Sequence, residues 1–166
     1  MGLGDILEAA EESIKLDQRR REAFEEELDA YEANDLERFD RTRDAIDAQR
    51  ESITNLRELL QTEEEEIETL VEESAFLSVD QATRHRKAAV EKLTEHNRLL
   101  REYVDAMSSA LDTIERNLDA LERQGPEAVE GDPEPDLQRA RDALEEHNNT
   151  VEGIGKNLRI LNAYLV

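Results

Sequence analysis

The sequence predicts an all-α protein: an antiparallel four-helix bundle of coiled-coil character, with a long central helical hairpin. Three observations carry that expectation. Residues 5–124 contain neither glycine nor proline and are rich in Glu, Ala, Leu and Arg, a composition that favours helix over strand. Apolar side chains recur at seven-residue spacing. All three prolines fall in one acidic stretch, GPEAVEGDPEP at 125–135, which reads as a loop.

The whole chain, 1–166, reads as one helical domain with helices at about 5–33, 35–74, 79–124 and 136–164. In the first, Leu7, Ala10, Ile14, Phe24, Leu28 and Tyr31 share a frame interrupted by Asp17 and Arg21, a pair four apart and able to salt-bridge. The frame changes near Asn34 and Asp35. A second series then runs Phe39, Ile46, Ile53, Leu60, Ile67, with Leu56 and Leu70 beside it, and with polar Thr42, Gln49 and Glu63 on its companion positions. Ser78 and Gln81 have the spacing of a capping box, with Leu77 placed to staple the chain, so a turn is expected at 74–78. Val90, Leu93, Leu100, Val104, Met107, Leu111, Ile114, Leu118 and Leu121 then mark a third helix of about 45 residues, or about 68 Å. It stops where Gly125 and Pro126 supply a cap and a breaker. The fourth carries Leu137, Leu144, Val151, Leu158 and Leu165 at sevens. Asp112 with Arg116, Asp119 with Arg123, and Glu152 with Lys156 have the spacing of helix-stabilising pairs.

Charge is the second strong signal. With 43 acidic against 21 basic residues the net charge is −22, and the basic residues divide into 17 Arg and 4 Lys. Carboxylate excess keeps a chain hydrated when molar salt shortens the Debye length to about 3 Å, so the composition reads as that of a cytoplasmic protein of a halophilic, archaeal-type microbe. The absence of cysteine excludes disulfides, thiolate nucleophiles and Cys-ligated metal. No run approaches the roughly 18 apolar residues of a membrane span. The opening residues lack a secretory pattern, and Ile6 stands where N-myristoylation needs Ser or Thr.

Catalytic patterns fail on spacing. A carboxylate-bridged di-iron site needs Glu three residues before His, yet Ala82, Leu93 and Leu144 precede His85, His96 and His147 by three. HExxH is absent. Gly153-Ile154-Gly155-Lys156 lacks the first glycine and the Ser or Thr of a phosphate loop. No cofactor is implied and no enzyme is expected. Two smaller features remain. Leu93, Glu95, His96, Asn97 is echoed by Leu144, Glu146, His147, Asn148 at an offset of 51 residues. Asn97 sits at a seam position, where a buried amide can fix register.

The resulting expectation is a non-enzymatic scaffold or adaptor acting through helix contacts, as a homo-oligomer or with a helical protein partner. Its contact residues are expected to be Ile46, Ile53, Leu60, Ile67, Leu93, Leu100, Met107 and Ile114, which serve equally well as an intramolecular core. The rival reading is nucleic-acid binding through two basic clusters, Arg19, Arg20, Arg21 and Arg84, Arg86, Lys87, which would share a face if the first and third helices lie side by side. Pairing of these cations with glutamates of the fold is favoured over phosphate contact.

Overall fold

The computed structural model describes the backbone of residues 2–75 and 80–165, and the side chains of residues 2–75, 80 and 83–150. Four long helices make up the chain: α1 (Leu3–Glu32), α2 (Asp40–Glu73), α3 (Asp80–Gln124) and α4 (Glu134–Leu165). A single 3-10 turn, Pro126–Ala128, lies in the loop before α4. No strand occurs among the described residues, and the protein is a helical bundle.

Cross-helix hydrogen bonds fix direction and register. Glu27 meets Thr42 and Arg20 meets Gln49, so partner numbers rise along α2 as they fall along α1. Arg43 meets Asp119, Arg50 meets Asp112 and Arg57 meets Asp105, which sets α3 against α2 in the same opposed sense. His96 meets His147 and Asn117 meets Gly131, which does so for α3 and α4. The α1–α3 contacts instead keep a constant offset of 90 residues: Ser13 with Tyr103, and the Tyr31 hydroxyl donating to the Leu121 carbonyl. Helix α3 is therefore the wall that every other helix touches. Ala106, Ala110, Ala140 and Ala143 are all buried, small side chains that let α3 and α4 pack closely.

The helix boundaries show how the turns are made. Helix α1 closes with Asn34 in the left-handed region at φ 60°, Asn34 N–H donating to Tyr31 O and Asp35 N–H to Ala30 O, the paired bonds of a Schellman motif. Helix α2 starts at Asp40 rather than the expected 35, because the chain must first bring Phe39 under the bundle. Phe39 is fully buried, with ring centroids 5.9 Å from Phe24 and 5.5 Å from Tyr31. A phenylalanine cannot cap a helix, so the cap comes from outside: the Glu27 carboxylate of α1 accepts from the backbone N–H groups of Arg41 and Thr42 and from the Thr42 hydroxyl. Glu122 of α3 likewise accepts from Phe39 N–H at 2.7 Å. At the other end, Gly125 at φ 91° ends α3, and the Asn117 side chain clamps both backbone groups of Gly131. A Cβ on Gly131 would come 2.7 Å from the Thr113 methyl, so this crossing requires glycine. The expected Ser78–Gln81 capping box and Leu77 staple lie outside the described residues, as do the side chains of Glu152 and Lys156.

Two expected i,i+4 pairs are replaced by contacts between helices. The Asp112 carboxylate binds Arg50 at 2.8 Å and the Asp119 carboxylate binds Arg43 at 2.7 Å, while Arg116 donates to the Asp112 backbone oxygen and the Thr113 hydroxyl. Asp17 does pair with Arg21 as its spacing predicts, at 2.9 Å.

Replacing Phe39 by Ala is expected to cost about 3–5 kcal/mol, the usual penalty for an aromatic lost from a close-packed site. Arg38→Ala, at an exposed neighbour, is expected to change stability by less than about 0.5 kcal/mol. Urea unfolding of both variants beside the parent chain checks the contrast.

Candidate functional site

Two features lie where α4 meets the rest of the bundle: a buried chain of ionisable side chains and an open apolar seam. The chain begins with Glu63 on α2, passes through His96 on α3 and ends with His147 on α4. His96 Nδ1 is 2.6 Å from His147 Nε2, and His96 Nε2 is 3.1 Å from Glu63 Oε2. All three side chains are buried, His96 completely and Glu63 to 7% exposure. Asn97 completes the layer, its amide donating to the Leu60 carbonyl at 2.8 Å and to Glu63 Oε1 at 3.0 Å while its own oxygen accepts from Arg101 Nε.

Proton placement follows from the geometry. Two nitrogens 2.6 Å apart share one proton. With Glu63 ionised, the arrangement that satisfies the chain has His147 Nε2–H donating to His96 Nδ1, and His96 Nε2–H turned toward Glu63. That last contact is close but badly aligned: His96 Nε2 has no hydrogen bond of acceptable direction despite the 3.1 Å approach. It is a close approach rather than a directed bond. Burial, with the neighbouring His96 adding to it, pushes His147 down to about 4, against the opposing pull of Asn148 and Glu63. His147 is therefore a neutral, packed histidine. Among the described residues no group of three or more His, Asp or Glu side chains is arranged to hold a metal ion.

The seam lies between α1 and α4. Among the described residues the extensive backbone contacts join α1 to α2, α2 to α3 and α3 to α4, and α1 makes none as extensive with α4. Leu7, Ala10 and Ile14 line one bank, Leu144 and His147 the other, and Tyr103 and Met107 of α3 form the floor further along. Ile14 is 45% exposed, an apolar side chain at mid-seam. Glu8 and Glu11 edge one end. Tyr103 keeps its proton: burial raises it to about 12, and its hydroxyl bonds Ser13 at 2.6 Å.

The residues expected to form an assembly face are mostly sealed inside this chain. Ile46, Ile53, Leu60, Leu93, Leu100 and Met107 are buried, and only Ile67 and Ile114 are half-buried. A partner helix reaches the buried six only by opening the bundle. The two basic clusters lie far apart along the bundle. With α3 numbers running 90 ahead of α1, Arg19–Arg21 lie level with residues 109–111, about 25 residues or ~37 Å along the axis from Arg84–Lys87. The contacts of Arg20, Arg21 and Arg86 also differ from the glutamate pairing expected. Arg20 is buried against Asp17 and Gln49, Arg21 also pairs with Asp17, and Arg86 bonds the Ser74 hydroxyl and the Val71 carbonyl. Lys87 approaches Glu91 at 3.9 Å, while Arg19 and Arg84 are exposed.

Sequence reading missed the Glu63–His96–His147 chain because it sought acidic partners one turn upstream on the same helix, and the partner comes from another. The signal available was the 51-residue echo: its two histidines are the pair in contact. Glu63, a polar residue on a companion position of the second heptad series, is buried, while Glu64, Glu65 and Glu66 beside it are exposed. No protein-family model matches the chain, and no curated protein or solved structure shows significant similarity to it.

The pH dependence has a definite sign. His147 protonates more readily unfolded, near 6.5, than folded, at about 4. Its contribution is complete above pH 6.5 and is lost as pH falls toward 4. His147→Gln retains a donor without a titrating group. The expected result is a parent stability that falls more steeply than the variant's between pH 6.5 and 4 in urea titrations, whereas parallel curves would show that His147 is not held neutral by the fold.

Proposed function

We propose that this protein is a non-enzymatic helical scaffold or adaptor that receives an amphipathic helix of a protein partner, or of a second copy, in the α1–α4 seam. The observation that carries this reading is the seam itself. Consecutive helices pack closely, whereas the α1–α4 boundary is hollowed and offers Leu7, Ile14 and Leu144 along a floor of buried α3 side chains. Helix-in-groove recognition uses such a surface, with apolar anchors at i, i+3 or i+4 and i+7. Glu8 and Glu11 favour a partner helix with basic flanks at that end. Phosphate binding has less support, since the cationic clusters lie apart and Arg20, Arg21 and Arg86 are engaged within the fold.

The setting we propose is the cytoplasm of a halophilic, archaeal-type cell. Support comes from the charge of −22 and the preference for Arg over Lys. No helix among the described residues is long and apolar enough to cross a membrane.

The chain has no cysteine, so Ile14→Cys gives one attachment point for a photoreactive benzophenone. Illumination in a salt-matched cell extract is expected to yield one discrete protein adduct, suppressed by excess unlabelled chain and identified by mass spectrometry. A smear that excess chain does not suppress, or no adduct, overturns the docking reading. For the solvent reading, circular dichroism is expected to show helix content rising from millimolar to molar KCl. A chain fully helical in dilute buffer would sink it.

A further inference from the structure

We infer that the cavity bounded by α1, α3 and the start of α4 binds an amphipathic monocarboxylate, a single carboxylate carried on an unbranched apolar chain. The inference is separate from helix docking, because it concerns a half-open cavity beside the loop that precedes α4 rather than the length of the seam. The cavity measures about 440 Å³, within the usual span of about 300–1,000 Å³ for small-molecule sites. Its walls are apolar: Phe24 from α1, Leu118 and Leu121 from α3, Leu137 from α4 and, toward solvent, Val129 of the loop.

Three guanidinium groups line this apolar volume, Arg20, Arg21 and Arg141. Only two carboxylates are paired with them. Asp17 serves both Arg20 and Arg21, at 2.9 Å in each case, and Glu134 serves Arg141. Glu27, the nearby buried carboxylate, is committed to the N-terminus of α2. The cavity lining thus carries three guanidinium groups and a single carboxylate, Glu134, on a chain whose net charge is −22.

Each arginine also engages the fold through one nitrogen alone. Arg20 uses Nη1 for both Gln49 and Asp17, Arg21 uses Nη2 for Asp17, and Arg141 uses Nη2 for both Glu134 and Gln138. Among the described residues the other guanidinium nitrogens have no protein partner, so the fork that grips a carboxylate two-handed is only half used. Arg21 and Arg141 line both this cavity and the neighbouring hollow on the seam, which places them where a ligand head would rest while its chain enters. A guanidinium-rich lining with unused fork positions suits one carboxylate, while the acidic surroundings repel polyphosphates.

Titration of the full chain with decanoate, in salt that holds the helices formed, tests the proposal by calorimetry and by methyl chemical shifts. Saturable one-to-one binding is expected, with the largest shifts at Val129, Leu118 and Leu137. Decanol and decylammonium are expected to bind at least ten-fold more weakly. Arg21→Gln and Arg141→Gln, each at a partly exposed side chain, are expected to weaken decanoate about ten-fold while leaving the circular dichroism spectrum and melting unchanged. Should one variant unfold, the other with the decanol comparison still decides. Equal affinity for decanoate and decanol, unchanged binding in a folded variant, shifts confined to Leu7 and Leu144, or no saturation by millimolar probe would each overturn it.

Discussion

The structure depends on satisfying three polar side chains that α2 places inside an otherwise apolar seam. Thr42, Gln49 and Glu63 occupy the positions beside Phe39, Ile46 and Leu60, and all are buried. Each has a different partner in a different place: Glu27 for Thr42, Arg20 and Asp17 for Gln49, His96 and Asn97 for Glu63. A buried polar group without a partner costs about 1–3 kcal/mol. Sliding α2 by one heptad would keep its apolar residues in register and orphan all three, so these layers distinguish one alignment from its near-equivalents.

The same logic explains the arginines. Arg43 spans Asp119 and Glu122, and Arg50 spans Asp112 and Glu115, each gripping two carboxylates one turn apart on α3. The hydrogen bonds to Glu122 and Asp119 hold Arg43 above its usual range, outweighing its partial burial. A guanidinium can bridge in this way and an ammonium does so less well. These pairs are partly exposed and add modest stability. Their larger effect is on alignment, since they join surfaces that would otherwise repel.

Helix content, the Phe39-to-Ile67 heptad and the Asp17–Arg21 pair were legible because they depend on neighbours within about one turn or on a repeat the chain displays openly. The start of α2 was not, because its cap is Glu27, 15 residues upstream on another helix. The fate of Asp112 and Asp119 was hidden for the same reason, as a local partner and a distant one compete and spacing shows only the first. The separation of the two basic clusters required the 90-residue offset between α1 and α3, which no periodic pattern encodes. The His96–His147 contact lay in between: the echo pointed to the pair, but only the opposed packing of α3 and α4 brings an echo face to face.

That offset also sets the order in which the bundle closes. Contacts of α1 with α2, α2 with α3 and α3 with α4 join consecutive helices, whose loop-closure entropy is small. The Ser13–Tyr103 and Tyr31–Leu121 bonds span 90 residues each and form only once the intervening hairpin exists. The α1–α3 contacts are thus the last to form, after α1 has packed on α2. Because the Ser13–Tyr103 bond ties the α1 bank of the seam to its floor, any local loss of that one bond exposes Tyr103 there.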